Sequence, residues 1–340
     1  MSNENMGNVA ALVVATLGEV NGQDTLAMLA IDPVLLSERG EPVSRAAFAM
    51  AMNVCLFRDL IDRVPSGAAY VADRLARGQR VVFDHGALRS VRFAEGPTGA
   101  LPPGEDAFTR IFLPLGYDMA AVYPLDRLRM TGRAYRHIDF PETIPQFFLS
   151  ELHVERFDAA FGAAAARIFG TSRDPLDAAA RRALDLYAAR EPVSLAVAIA
   201  ALPAILAAFD RQHEPPAFDD YALLLSRSNE AAWIATEGNA FNHATDRVAD
   251  VAALAERLKA EDRPMKDRLE ISASGRVRQT AFRADTVERP FAGGETRSVS
   301  GSFFEFISRD IDPETGRLDL AFDTGNATGI FAMTSAQASA

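Results

Sequence analysis

Cysteine is nearly absent: Cys55 is the one cysteine in 340 residues. It can close no intramolecular disulfide, which excludes a disulfide-stapled scaffold and fits a reducing cytoplasm. Basic charge is in deficit as well, with 35 Lys and Arg against 46 Asp and Glu and a net charge of −11. Nucleic-acid binders grip phosphates through clustered cations, and no such stripe occurs here, so no nucleic-acid partner is expected. Long hydrophobic runs are missing too. The longest near-apolar stretch, residues 195–209, is interrupted by Pro203 and falls short of the roughly 20 residues that cross a bilayer. It reads as a buried helix pair, and no membrane partner is expected. The N-terminal MSNENMGN has no basic region ahead of an apolar one, so no export signal is read. There is no P-loop, no G-x-G-x-x-G after a strand and no G-x-S-x-G elbow, and a single cysteine permits no C-x-x-C.

What is present is the composition of an ordinary globular protein with a sizeable core, 49% hydrophobic and 24% charged. From Ala46 to Arg77 apolar residues recur at helical spacing (Phe48, Met52, Leu56, Leu60, then Tyr70 and Leu75), with a break at Pro65 and Gly67. Two helices therefore precede the first strand, expected over residues 79–93 (QRVVFDHGALRSVRF). A Pro/Gly loop, a helix over 107–115 and two strands, LRMTGRAYRHID and QFFLSELHVERF, follow. Residues 158–232 are Ala-rich and helical in period, punctuated by Pro175, Pro192, Pro215 and Pro216. They read as an insertion whose faces suit a lid, a homo-oligomer interface or internal packing. Strand character returns with GNAFNHATDRV, followed by a helix over 248–260 and the segments EISASGRVRQTAF, RADTVERPFA and SVSGSFFEFISRD. The expected division is a helical segment (1–78), a first strand module (79–157), the insertion (158–232) and a second strand module with a tail (233–340).

The two strand modules look like copies. One opens on H-G-A-L-R (His85, Arg89) and the other on H-A-T-D-R (His243, Arg247). Each closes on a glutamate in an aromatic setting, Glu151 in FFLSE and Glu305 in FFEF, at intervals of 66 and 62 residues from its histidine. Strand residues i and i+4 share a face, so each histidine lies beside its arginine. If the modules join through their first strands, two imidazoles meet across a cleft and Glu305 supplies an oxygen. Two neutral histidines and one carboxylate form a facial triad with open positions, a donor set suited to non-haem Fe(II). A glutamate inside SFFEFIS stays ionised only beside a cation, either a metal or Arg309 on the same face. The plain alternative is a Glu305–Arg309 ion pair. His137, His153 and Glu151 also lie in strands, but the duplicated pattern gives them no third partner, and they are expected to be structural. His213, in HEPPAF, is expected at the surface.

Taken together, HGALRSVRF, SELHVERF, FNHATDRV, QTAFRADTVERPF and SGSFFEFISRD resemble the 2-oxoadipate dioxygenase/decarboxylases. That family belongs to the vicinal-oxygen-chelate superfamily, with glyoxalase I and the extradiol dioxygenases. The resemblance implies an α+β fold of paired βαβββ modules in a glyoxalase-like half-open barrel, with N-terminal helices and a helical insertion. It implies Fe(II) held by His85, His243 and Glu305, at a site that also takes Zn²⁺, Ni²⁺ or Mn²⁺. Arg89 is implied as the catalytic and substrate-binding cation that holds the carboxylate of a 2-oxo acid. The implied reaction consumes O₂ and converts 2-oxoadipate to 2-hydroxyglutarate with release of CO₂. A second cation must meet the far carboxylate, and Arg247, Arg283 and Arg278 are the candidates. The same fold admits two rivals: a Ni²⁺ or Zn²⁺ isomerase or lyase, which needs no O₂, and a non-catalytic module that sequesters a small molecule.

Overall fold

The structure, a computed structural model, describes residues 6–322. The start of MSNENMGN and the tail 323–340 lie outside the described residues. Five helices lead the described chain: α1 (Asn8–Leu17), α2 (Glu19–Met28), α3 (Pro33–Ser37), α4 (Arg45–Arg63) and α5 (Pro65–Ala76). The Ser44 hydroxyl caps α4 by accepting the Ala47 N–H, and Pro65 occupies the first position of α5, where its missing donor costs nothing. Then come β1 (Phe83–Arg92), α6 (Asp106–Phe112), β2 (Tyr117–Leu125), β3 (Met130–His137) and β4 (Gln146–His153). The next helices are α7 (Ala159–Phe169), α8 (Ala178–Ala189), α9 (Leu195–Ala207), α10 (Phe218–Leu225) and α11 (Asn229–Glu237). The chain closes with β5 (His243–Arg247), α12 (Val251–Ala260), β6 (Glu270–Ile271), β7 (Val277–Ala281), β8 (Thr286–Pro290), β9 (Thr296–Ser300), β10 (Phe303–Arg309), β11 (Ile311–Asp312) and β12 (Arg317–Leu318).

Eight strands form one sheet in the order β2-β3-β4-β1-β5-β10-β7-β6. Reading outward from the β1/β5 seam, each half runs from its first strand to its last and then to two earlier ones, so the duplication inferred from sequence is visible in the topology. Both first-to-last pairs are parallel, while the seam is antiparallel, with Ala87 opposite His243 and His85 opposite Thr245. The expected α+β class and half-open barrel are borne out.

Alternation divides the sheet into two faces. Leu88, Phe147, Leu149, Ala244, Phe304 and Phe306 pack against the N-terminal helices, α6 and α12 in the main core. Alanine-rich α4 is small enough to lie close on this face, where Phe57 meets Phe83 and Phe304 at ring-centroid distances of 5.3 and 6.3 Å. The other face carries His85, Arg89, His243 and Glu305. At its Arg89 end, Val91, Leu152 and Met130 are covered by α7, α10 and α11, so these helices pack internally as the roof of one end of the barrel.

Local differences from the sequence reading have local causes. β2 is an edge strand whose middle, from Asp118 to Val122, is largely exposed, and its apolar residues 119–122 run on without the alternation that marks a half-buried strand. The stretch 195–209 holds one helix, α9, not a pair, because burial of Ala198, Ala201, Leu202 and Ile205 keeps it continuous through the exposed Pro203 as far as Ala207. β8 and β9 leave the main sheet as a separate hairpin around Gly293 and Gly294, both at φ 87°. His213 is not at the surface: it is 6% exposed, its Nε2–H donates to the Ala235 carbonyl, and its ring meets Phe169 edge-on at 5.1 Å.

That burial gives a pH prediction. Desolvation lowers the His213 pKa from 6.5 to about 4. The unfolded chain therefore binds the proton more readily, so this contribution to stability is whole above pH 6.5 and is lost as pH falls toward 4. Over that window it amounts to about 3 kcal/mol. Urea unfolding at pH 5 and 7.5 should show a shallower acid-side loss in His213→Gln than in the parent protein.

Candidate metal centre

The candidate site lies where β1, β5 and β10 run side by side. His85 and His243 face each other across the seam with ring centroids 5.5 Å apart. Register places Glu305 opposite Thr245, two residue pairs along from His243 and Phe303, so the carboxylate comes up on the same face. Glu305 Oε2 lies 3.2 Å from His85 Nε2 and 3.5 Å from His243 Nε2. One ligand atom from each of the three residues falls within 4.8 Å of the others, and all three side chains are buried. Donor atoms that share an ion at about 2.1 Å lie about 3 Å apart when adjacent, so this trio is close to a coordinating arrangement before any ion is added.

Each donor is oriented by a neighbour. A β-bulge between Phe83 and His85 brings Asp84 beside the His85 ring, and Asp84 Oδ1 accepts from Nδ1–H at 2.8 Å. That fixes the tautomer with Nε2 toward Glu305. Asn242 Oδ1 does the same for His243 Nδ1 at 3.2 Å. The Thr245 hydroxyl donates to Glu305 Oε2 at 2.7 Å. Two atoms of these ligand side chains, His243 Nε2 and Glu305 Oε1, are buried without a hydrogen-bond partner. Orphaned atoms of this kind are costly in a closed core and ordinary at a cation site.

The electrostatics agree. Burial pushes the His243 pKa down to about 3, against the pull of Glu305, so its ring is neutral and its lone pair available. Burial alone would raise the Glu305 carboxyl, yet the two histidines and Thr245 hold it below its ordinary range. His85 moves the other way: burial disfavours its charge, but Asp84 and Glu305 outweigh that and raise its pKa. An ion entering the trio would therefore displace a proton from His85.

The Glu305–Arg309 pair considered from sequence does not form. Arg309 is turned to Asp84, with Nη2 2.9 Å from Oδ1 and Nε 3.0 Å from Oδ2. Its Nη1 donates to the Asp319 and Ala321 carbonyls, which brings Phe322 edge-on to the His85 ring at 4.8 Å. Glu305 is left with the two histidines and a hydroxyl.

The family model described as 2-oxoadipate dioxygenase/decarboxylase matches residues 54–318. The chain belongs to that family. Among curated 2-oxoadipate dioxygenase/decarboxylases, the chloroplastic protein of Arabidopsis thaliana is 24% identical over 296 residues, covering 75% of this chain and 69% of the relative. A crystal structure of a putative glyoxalase superfamily protein from Ralstonia eutropha JMP134 is 50% identical, with a TM-score of 0.86 over 94% of this chain and 99% of that one. The hydroxyglutarate synthase of Oryza sativa, solved in complex with 2-oxoadipate, shares the fold at 19% identity and a TM-score of 0.68, over 87% of this chain and 96% of that one.

Within this family member, the remaining sequence candidates separate clearly. Arg89 is 1% exposed, its guanidinium 4.9 Å from the Trp233 ring. Burial lowers its pKa to about 10, with Glu230 opposing, so it stays charged at neutral pH. Its charge reaches His243, whose protonated form it disfavours. Arg247 shares the face of His243 and Thr245, but is held by Asp84 Oδ2 at 3.7 Å and the Glu142 carbonyl at 3.1 Å. Arg283 is half-exposed and pairs with Asp267 at 3.0 Å. Arg278 pairs in register with Ser308, on the opposite face from Glu305, and binds Asp310. The structure does not bring Arg283 or Arg278 to the trio.

The rival histidines have structural partners: His137 Nδ1 accepts the Asp139 and Phe140 N–H groups, and His153 Nε2 bonds Thr131. Glu151, matched to Glu305 by sequence interval, pairs with Ser90 on the other face and is held by Arg92 and Arg133. Register makes Phe148 the counterpart of Glu305, since it lies opposite Ala87 as Glu305 lies opposite Thr245. The duplication therefore yields one carboxylate, not two. Sequence reasoning did not name Asp84, Asn242 or Thr245, although the first two adjoin the histidines they orient and Thr245, which holds Glu305, lies two residues from His243.

Proposed function

We propose that this protein is an Fe(II)-dependent dioxygenase/decarboxylase of a dicarboxylic 2-oxo acid, converting 2-oxoadipate to 2-hydroxyglutarate and CO₂ in the cytoplasm. The observation that carries the reading is the trio itself: two imidazole Nε2 atoms and a buried carboxylate, each oriented by its own partner, in a chain of this family. His85, His243 and Glu305 would hold the ion. Bound there, Fe(II) supplies Lewis acidity toward the 2-oxo acid and an electron source for O₂.

The protein's own groups then do the positioning. Arg89, charged and buried on the β1 strand, takes the carboxylate next to the keto group and neutralises it. The Phe303, Phe148 and Phe322 rings keep bulk water from the reacting carbons. The reaction balances with both atoms of O₂ in the hydroxy acid: one in the carboxylate made from the keto carbon, the other in the new hydroxyl, while the original carboxylate leaves as CO₂.

O₂ uptake by anaerobically Fe(II)-loaded protein, measured against a panel of 2-oxo acids, tests this. Uptake should match CO₂ release one to one with 2-oxoadipate, and Arg89→Lys should lose roughly 100-fold or more in kcat/KM, because a point charge does not replace a bidentate fork. Stoichiometric iron with no uptake on any 2-oxo acid would sink the oxygenase reading and leave the isomerase.

A further inference from the structure

With Arg247, Arg278, Arg283 and Arg309 each engaged by a carboxylate, another group must receive the far end of a dicarboxylic substrate. On the metal face, β1, β4 and β3 place His85, Gln146 and Arg136 side by side. His85 is the direct register partner of Gln146, and the Tyr135–Phe147 pair sets Arg136 across from Gln146 on β3. Two strand spacings span about 10 Å, the reach of a short dicarboxylic acid anchored beside His85.

Both side chains offer donors there. Arg136 Nε donates to Gln146 Oε1 at 3.4 Å, which occupies the amide oxygen and leaves the amide nitrogen for another partner. That nitrogen is buried without a hydrogen-bond partner, in a side chain only 1% exposed. Arg136 is half-buried and forms no ion pair with a carboxylate among the described residues. Its charge is disfavoured by burial and by nearby Arg309, which an arriving anion would relieve. Phe148 and Phe322, with ring centroids 4.9 Å apart, stand beside this line as an apolar wall for methylene groups.

We propose that Arg136 and Gln146 form the subsite for the far carboxylate of the substrate and so set its dicarboxylate preference. This rests on the function proposed above. An amide N–H and a guanidinium converging on one carboxylate give charge-assisted hydrogen bonds that a methyl-terminated analogue cannot make. The analogue is rejected because it leaves those donors buried and unsatisfied.

The test compares 2-oxoadipate with 2-oxohexanoate, which differs only in lacking the far carboxylate. In Arg136→Leu and in Gln146→Leu, the ratio of kcat/KM for 2-oxoadipate over 2-oxohexanoate should fall by roughly 10- to 100-fold. Arg136→Lys should recover part of the ratio, which a folding defect would not allow. An equal loss on both substrates, or no loss on either, would overturn the subsite. Adipate and hexanoate binding by calorimetry, with the ion-loaded protein under nitrogen, separates this from failure of the parent reading. If adipate binds the parent protein at least ten-fold more tightly than hexanoate and Arg136→Leu removes that difference, the subsite stands even without O₂ uptake. If adipate binds parent and variant alike, it falls.

Discussion

Glu305→Gln is expected to lose divalent-metal binding and O₂ uptake together while keeping its fold. The substitution preserves shape and still allows Thr245 to donate to the side-chain oxygen, so the packing of Phe303, Phe304 and Phe306 on either side has no reason to change. What disappears is the one negative charge that faces both imidazoles. Glu305 is 0% exposed, and no lysine or arginine approaches it within ion-pair distance among the described residues, so nothing else in the cluster can balance an ion. Iron content after anaerobic loading should fall below one-tenth of the parent value, and kcat by roughly a thousand-fold or more, the equivalent of several kcal/mol of lost Lewis-acid stabilisation. Stability gives an independent reading. Ligand binding raises the melting temperature by mass action, so the parent should gain several degrees on addition of Fe(II), Zn²⁺ or Ni²⁺ and the variant should gain almost none. A variant that retains stoichiometric metal would place the ion elsewhere.

The parts of this centre that were legible in the sequence are those repeated in it. His85 and His243 stand at the same place in two copies of one motif, and Glu305 is conspicuous as a charge among aromatics. The same repeat misled at Glu151, because FFLSE and FFEF align by eye on their glutamates whereas the parallel registers align Phe148 with Glu305. The neighbour that turns a histidine, or the pairing of Gln146 with Arg136, depends on a bulge and on cross-strand register, and neither is written in spacing along one strand. β2 was invisible for a different reason: its exposed middle, residues 119–122, is apolar without alternation, so there is no period of two to read. His213 looked polar and loop-bound, but the Ala235 carbonyl and the Phe169 ring give a neutral imidazole a satisfied buried place.

The second large effect lies beside the trio, where Arg309 shares the face of Glu305. Asp84 and Arg309 form a pair in which the guanidinium side chain is 0% and the carboxylate 1% exposed. Burial alone would raise the Asp84 pKa, but Arg309 and His85 overcome this and hold the carboxyl well below the usual range. Asp84→Leu strands the guanidinium, and Arg309→Met strands the carboxylate. Each should cost about 3–5 kcal/mol in urea unfolding, because an uncompensated buried charge is worse than none. The double variant should recover most of that loss, since two apolar side chains need no partners. Metal affinity should not recover with it. In both variants that lack Asp84 the His85 Nδ1–H has no acceptor, the ring loses its enforced tautomer, and affinity should stay roughly 10- to 100-fold below the parent. Arg309→Met alone keeps the acceptor and should bind metal more tightly than either, despite being as unstable as Asp84→Leu. That split distinguishes the two roles of Asp84, balancing a buried cation and aiming an imidazole. Affinity that simply tracks stability across the three variants would refute the second role.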